Sequence, residues 1–189
     1  MDKFTFFFSF YGLILGLAVT ELLKGFGALV RNGELRRLGW PTGLLALFVL
    51  LLVCATWIDA WDSLRNTSLD FSGLWAPVLI AILYYLAALV TFPGSPEDCL
   101  SLDDYYAQRK QFVLALLLAA EFTVNYSYRS VLLDNLHNHP QVFWAWQLPY
   151  NLAIKFGFLW LIFVKGRRAN IIGLCAMILL FFIPYWHHA

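Results

Sequence analysis

Residues 42–61 read TGLLALFVLLLVCATWIDAW, twenty positions in which Asp59 is the sole charge. At 1.5 Å per helical residue this run is about 30 Å long, the thickness of a bilayer's hydrocarbon core. It is continuously apolar, without the alternation of a barrel strand, so its backbone hydrogen bonds have to close within a helix. Five further stretches have the same character: 4–30, 74–92, 112–133, 142–164 and 171–186. Together they predict an all-α membrane protein, a six-transmembrane-helix bundle forming a single polytopic domain over residues 1–189. The first stretch is too long for a signal-peptide core and reads as an anchor.

Composition agrees. Of 189 residues, 61% are hydrophobic and 13% charged, where a soluble domain carries roughly a quarter charged. A net charge of +1 supplies no field for nucleic acid, and the lipid bilayer is the expected partner. Cys54, Cys99 and Cys175 lack any Cys-x-x-Cys spacing and read as free thiols.

Orientation follows from the cations, because short basic loops stay in the cytoplasm. Arg31, Arg36 and Arg37, then Arg109 and Lys110, then Lys165, Arg167 and Arg168 all fall on one side; Lys3, Arg65 and Arg129 fall on the other. Both termini are therefore expected outside, in a bacterial inner membrane. Trp57, Trp61, Trp75, Trp144, Trp146 and Trp186 gather at the outer interface, Trp40 and Trp160 at the inner one. Ser101-x-x-Asp104 is an N-capping signal that starts the fourth helix in the cytoplasm, which lays Leu102, Tyr105 and Tyr106 along the membrane surface and sets Arg109 and Lys110 at the headgroups. Three spans on either side of the loop at 93–110 suggest a 3+3 inverted arrangement. Its sequence support is faint: LGLAVTE at 15–21 resembles ALLLAAE at 115–121.

Function has to be sought in the polar residues kept inside the apolar runs, since a charge at the bilayer centre costs about 2.5 to 3.5 kcal/mol. Glu21 lies ten residues before Arg31, Glu121 eleven after Lys110, and Lys155 ten before Lys165. Each is therefore about 15 Å from the basic face, near the midplane. On the fourth segment Glu121, Asn125, Tyr128 and Arg129 share a stripe; on the fifth Gln147, Asn151 and Lys155 do, beside the kink expected at Pro149. Gly12-x-x-x-Gly16 offers close helix approach next to Glu21. The expected function is a small channel or transporter that moves a proton, ion or small polar solute through a polar interior built by the first, fourth and fifth segments. Glu21 and Glu121 would bind the cargo, Lys155 would be the counter-charge, and Asn125, Asn151 and Gln147 would line the path.

Other readings compete. In a non-transporting membrane subunit, a sensor or assembly partner within a homo-oligomer or larger complex, the Glu–Lys group would be a structural lock. Asp59 or Asp62 could tie to Arg129 at the outer end, as a helix-to-helix contact or a vestibule. His137, His139, His187 and His188 all fall at the outer face and could gather a metal ion, the basis of a membrane-enzyme reading. No other cofactor is implied. The chain lacks a phosphate-binding glycine loop, a His-Glu-x-x-His helix, a nucleophile elbow and a potassium-filter motif.

Overall fold

The structure, a computed structural model, describes residues 3–31, 39–65, 71–94 and 101–187, apart from the side chains of 62–65, 71, 72 and 184–187. The described residues form helices and no strand. α1 spans Lys3–Arg31, α2 Trp40–Arg65, α3 Phe71–Thr91, α4 Leu102–Ser127, α5 Arg129–Asn138, α6 Leu148–Phe163 and α7 Arg167–His187. Residues 140–147 add a short helical turn and a π-helical turn ahead of α6. Among the described residues three helices are long and apolar enough to cross a membrane: Lys3–Arg31, Trp40–Trp61 and Gly73–Thr91.

Two expected segments are divided, each for a local reason. The segment at 112–133 bends at Tyr128, between α4 and α5. Just before the bend, Thr123 donates its hydroxyl to the Ala119 carbonyl, Asn125 its amide to Glu121 and Ser127 its hydroxyl to Thr123. Such back-bonding competes with the helix ladder and bends it. The segment at 142–164 begins with the π turn Phe143–Gln147, where the Leu148 amide reaches the Phe143 carbonyl. Pro149, without an N–H, sits in the first turn of α6, so the four-residue ladder cannot run unbroken through this stretch.

Neighbouring helices run up and down. Phe8 of α1 stacks on Trp57 of α2, Trp75 near the start of α3 meets Tyr126 near the end of α4, and Gly25 of α1 lies against Phe92 just beyond α3. The ends bearing Arg31, Arg109, Lys165 and Arg167 thus form one basic end, with Lys3 and the end of α7 at the opposite end. α3 is central, packed along both α1 and α4, while α7 packs on α2 and α6. α4 is not packed along α7 as α1 is along α3, so the two halves do not repeat one arrangement among the described residues.

The core is apolar and tight: Leu15, Ala18, Phe48, Val49, Val53, Ala81, Leu114, Leu117, Phe158 and Leu174 are at most 2% exposed. The mantle is apolar as well, with Ile172 66% and Leu179 68% exposed. In water each such side chain would cost about 25 cal/mol per Å², whereas hydrocarbon takes this surface without penalty. Cys54 and Cys175 are free thiols; Cys99 lies outside the described residues.

Candidate functional site

At the basic end, the start of α4 serves as a capping device for two other helices. Ser101 is its N-cap, accepting from the Asp104 amide at 3.1 Å, as the sequence pattern requires. Lys110 then points inward. Its ammonium donates to the Leu161 carbonyl at 3.2 Å, to the Val164 carbonyl, and to Asn170 Oδ1 at 2.9 Å. Gln111 reaches the Ile162 carbonyl at 3.2 Å. These are the terminal carbonyls that α6 cannot satisfy itself. Tyr106 donates to the same Asn170 oxygen at 2.8 Å, and Asn170 Nδ2 donates to Gly166, whose φ of 109° permits the tight turn into α7. Tyr105 caps α3 by donating to Val90 and Phe92 carbonyls at 3.0 and 3.1 Å. Arg167 pairs with Asp103 at 3.2 Å.

The expectation for this segment is therefore corrected. Lys110 is 7% exposed, and Leu102 and Tyr106 are each 6% exposed, so all three side chains turn into the protein rather than out from its surface. The Lys110 ammonium is turned inward onto the carbonyl end of α6 and Asn170. Arg109, one position and about 100° around the helix, remains exposed.

Toward the opposite end α4 and α6 change character. No residue from 121 to 157 is buried, whereas seven of 102–120 are. Along this looser half stand the predicted polar stripes. Glu121 Oε1 accepts from Asn125 Nδ2 at 2.8 Å. Lys155 extends toward Asn151, 3.4 Å from both its backbone and side-chain oxygens, and lies 5.8 Å from the Phe122 ring centre. Asn151 Nδ2 donates to the Gln147 carbonyl at 2.8 Å, and Gln147 Oε1 accepts from Asn135 of α5 at 3.2 Å. Glu121 and Lys155 lie within electrostatic reach of each other across α4 and α6. They form no direct ion pair of 4 Å or less among the described residues.

Helix one does not join them. Glu21 pairs with Lys24 of its own helix at 2.7 Å, with the lysine side chain 66% exposed, and α1 packs on α2 and α3 rather than on α6. Two acids and one base share a depth in the sequence, but they occupy different sides of the bundle. Along the glycine strip, Gly12 touches Trp57 of α2, while Gly16 faces open space.

At the outer polar group, Arg129 donates to the Tyr126 carbonyl at 3.0 Å and sits 4.3 Å over the Tyr126 ring, so its guanidinium is committed within α4 and α5. Asp59 is exposed on α2, and the Asp62 side chain lies outside the described residues. His137 is bonded to the Leu133 carbonyl at 2.8 Å and His139 is exposed; the side chain of His187 and the whole of His188 lie outside the described residues. Among the described residues no three His, Cys, Asp or Glu side chains gather as a metal site.

One cluster escapes a hydropathy reading. Tyr11 of α1 and Tyr84 of α3 are 2% and 4% exposed, their phenols enclosed between helices. The Tyr84 hydroxyl is hydrogen-bonded to Thr56 of α2 and lies within electrostatic reach of Glu121 and Asp59. Tyr11 lies within reach of Tyr84, Tyr128 and Asp59. Tyrosine in an apolar run scores as one more apolar ring. The available signal was the Ala81, Ala87 and Ala88 setting around Tyr84, where small neighbours leave a phenol room to turn inward.

An apolar mantle around half-buried charges defines the class: an α-helical membrane protein. No protein-family model, characterised protein or solved structure matches the chain.

Proposed function

We propose that the chain is a small polytopic transporter or channel that crosses the membrane six times, with both termini outside and the basic end in the cytoplasm. Its cargo, a proton, ion or small polar solute, binds between the looser halves of α4 and α6. Glu121 is the binding carboxylate and Lys155 its counter-charge, with Asn125, Asn151 and Gln147 lining the approach. Glu21, turned to Lys24, lies outside this path.

The observation that carries the reading is that Glu121 and Lys155 face the same space without closing on each other. Glu121 accepts from Asn125, and Lys155 leans on Asn151, each one turn along its own helix. A structural lock gains most from a short, direct, buried pair. Charges kept apart by amides remain available to a ligand, and half-buried charges in apolar helices usually face water or protein.

The test is flux through liposomes holding the purified chain, across a panel of protons, alkali cations and small solutes. Glu121→Gln, matched to wild type in helix content and gel-filtration profile, should lose most of the flux, while Glu21→Gln should keep it. Undiminished flux in Glu121→Gln removes the assigned role. No flux from the wild-type chain, combined with retention in a larger complex on purification, favours a non-transporting subunit.

A further inference from the structure

We infer that the cargo of the site between α4 and α6 is a small zwitterion, an amino acid whose ammonium and carboxylate stand one or two carbons apart. The inference rests on the transport reading above and names its solute class. Its first ground is the register of the two helices, which hydrogen bonds at the basic end fix. α4 starts at that end and α6 finishes there, and Gln111 reaches the Ile162 carbonyl at 3.2 Å. Ten residues along α4 from Gln111 is Glu121, and ten back along α6 from Ile162 is Leu152, so the carboxylate stands level with Asn151 and Leu152, about 15 Å from the Gln111 contact. Glu121 also follows Lys110 by eleven residues, about three turns, and shares the face of α4 from which Lys110 reaches the Leu161 carbonyl. From α6 the Lys155 ammonium reaches back one turn to Asn151 and lies 5.8 Å from the ring centre of Phe122, the residue after Glu121. An acid and a base from facing helices thus meet at one level.

Its second ground is what each charge still lacks. Glu121 Oε1 accepts from Asn125 at 2.8 Å, and its second oxygen accepts nothing among the described residues. Lys155 has two contacts at 3.4 Å, long for hydrogen bonds, to the backbone and side-chain oxygens of one asparagine. The two charges cancel as a pair, so a lone cation or anion bound here would leave one charge uncompensated in a low-dielectric, apolar bundle. A zwitterion adds no net charge. Its ammonium donates to the free oxygen of Glu121, its carboxylate accepts from Lys155, and both new bonds are charge-assisted. Packed helices lie about 8 to 10 Å apart, which limits the ligand to charges joined by a short backbone.

The experiment is uptake of labelled glycine, β-alanine, serine and leucine into liposomes holding the full chain, beside protons, rubidium and chloride. Wild type should carry at least one of the four zwitterions above the rate of protein-free liposomes. Against the one carried fastest, an excess of its own unlabelled form should compete, whereas glycinamide, which keeps only the ammonium, and acetate, which keeps only the carboxylate, should not. Folded Glu121→Gln and Lys155→Met should each slow uptake about tenfold or more, the scale of one charge-assisted hydrogen bond. Lys155→Met is the sharper variant, because losing a nearby cation would strengthen a site built for cations. Should neither variant fold, the competition on wild type decides. A folded Lys155→Met at the wild-type rate, or glycinamide or acetate competing as well as the unlabelled zwitterion, overturns the inference. Protons, rubidium or chloride carried with none of the four zwitterions also overturns it and leaves the transport reading standing; wild type carrying nothing ends both.

Discussion

Lys110 of α4 and Lys155 of α6 each face the other's helix, the first at the basic end and the second midway along α6, and the protein treats them differently. Lys110 is spent on three oxygens, two of them carbonyls at the end of α6. Lys155 reaches one asparagine at 3.4 Å, twice, and remains half-buried. The first ammonium replaces the water that a helix end would otherwise need, so its desolvation is offset by bonds that nothing else present can supply. The second has no comparable set of acceptors among the described residues. The hydrogen bonds that join α4 to α6 are concentrated at the basic end, and the other end is looser.

Removing the better-satisfied lysine should therefore cost most. Lys110→Met keeps the aliphatic stem but strands the Leu161 and Val164 carbonyls and an oxygen of Asn170. Losing charge-assisted bonds and leaving buried acceptors unpaired is expected to destabilise by about 3 kcal/mol. Thermal unfolding in detergent would read this as a clear fall in midpoint. A midpoint within a degree or two of wild type would mean that α6 is capped by water and that the two ends do not differ as described.

How far the sequence reveals this contrast depends on what a residue's neighbours in the chain can tell. The helices at 3–31, 40–65 and 71–91 follow directly from uninterrupted apolar runs, and Ser101 announces its own cap three residues ahead. The stripe from Gln147 through Asn151 to Lys155 is legible because helical periodicity places all three on one face. Lys110 is not legible: beside Arg109 it looks like a second headgroup contact, and only the arrival of α6 from fifty residues downstream makes it a cap. Glu21 misleads for the converse reason. Depth along a helix can be counted from the sequence, but the side of the bundle a helix occupies cannot, and α1 turns Glu21 toward Lys24. The same limit hides Tyr11 and Tyr84, which are buried only because other helices converge on them.

Two glycines of α1 sharpen the comparison with smaller effects. A Cβ at Gly25 would sit 2.4 Å from the ring of Phe92, itself buried at the basic end, while one at Gly16 would meet nothing within 4 Å. Gly25→Ala should cost about 2 kcal/mol through overpacking. Gly16→Ala is expected to be neutral or to stabilise by a few tenths up to about 1 kcal/mol, the gain in helix propensity over glycine. Equal midpoints for the two variants would show that α1 and α3 are not seated as closely at the basic end as the contact with Phe92 requires.

The smallest expected effect on stability is the most informative about function. Lys155→Met removes a formal charge from the middle of an apolar helix, yet the bonds it breaks are long, lie one turn away on the same helix and are half-open to the surroundings. Such contacts contribute under about 1 kcal/mol, and methionine suits hydrocarbon better than an ammonium does. The folded chain should therefore persist with a near-unchanged unfolding midpoint while flux through the liposome assay falls, because Glu121 would have lost its counter-charge. A loss of folding comparable to that of Lys110→Met would reverse the distinction between the two lysines. The Glu121–Lys155 group would then be a lock, and the chain a structural subunit of something larger.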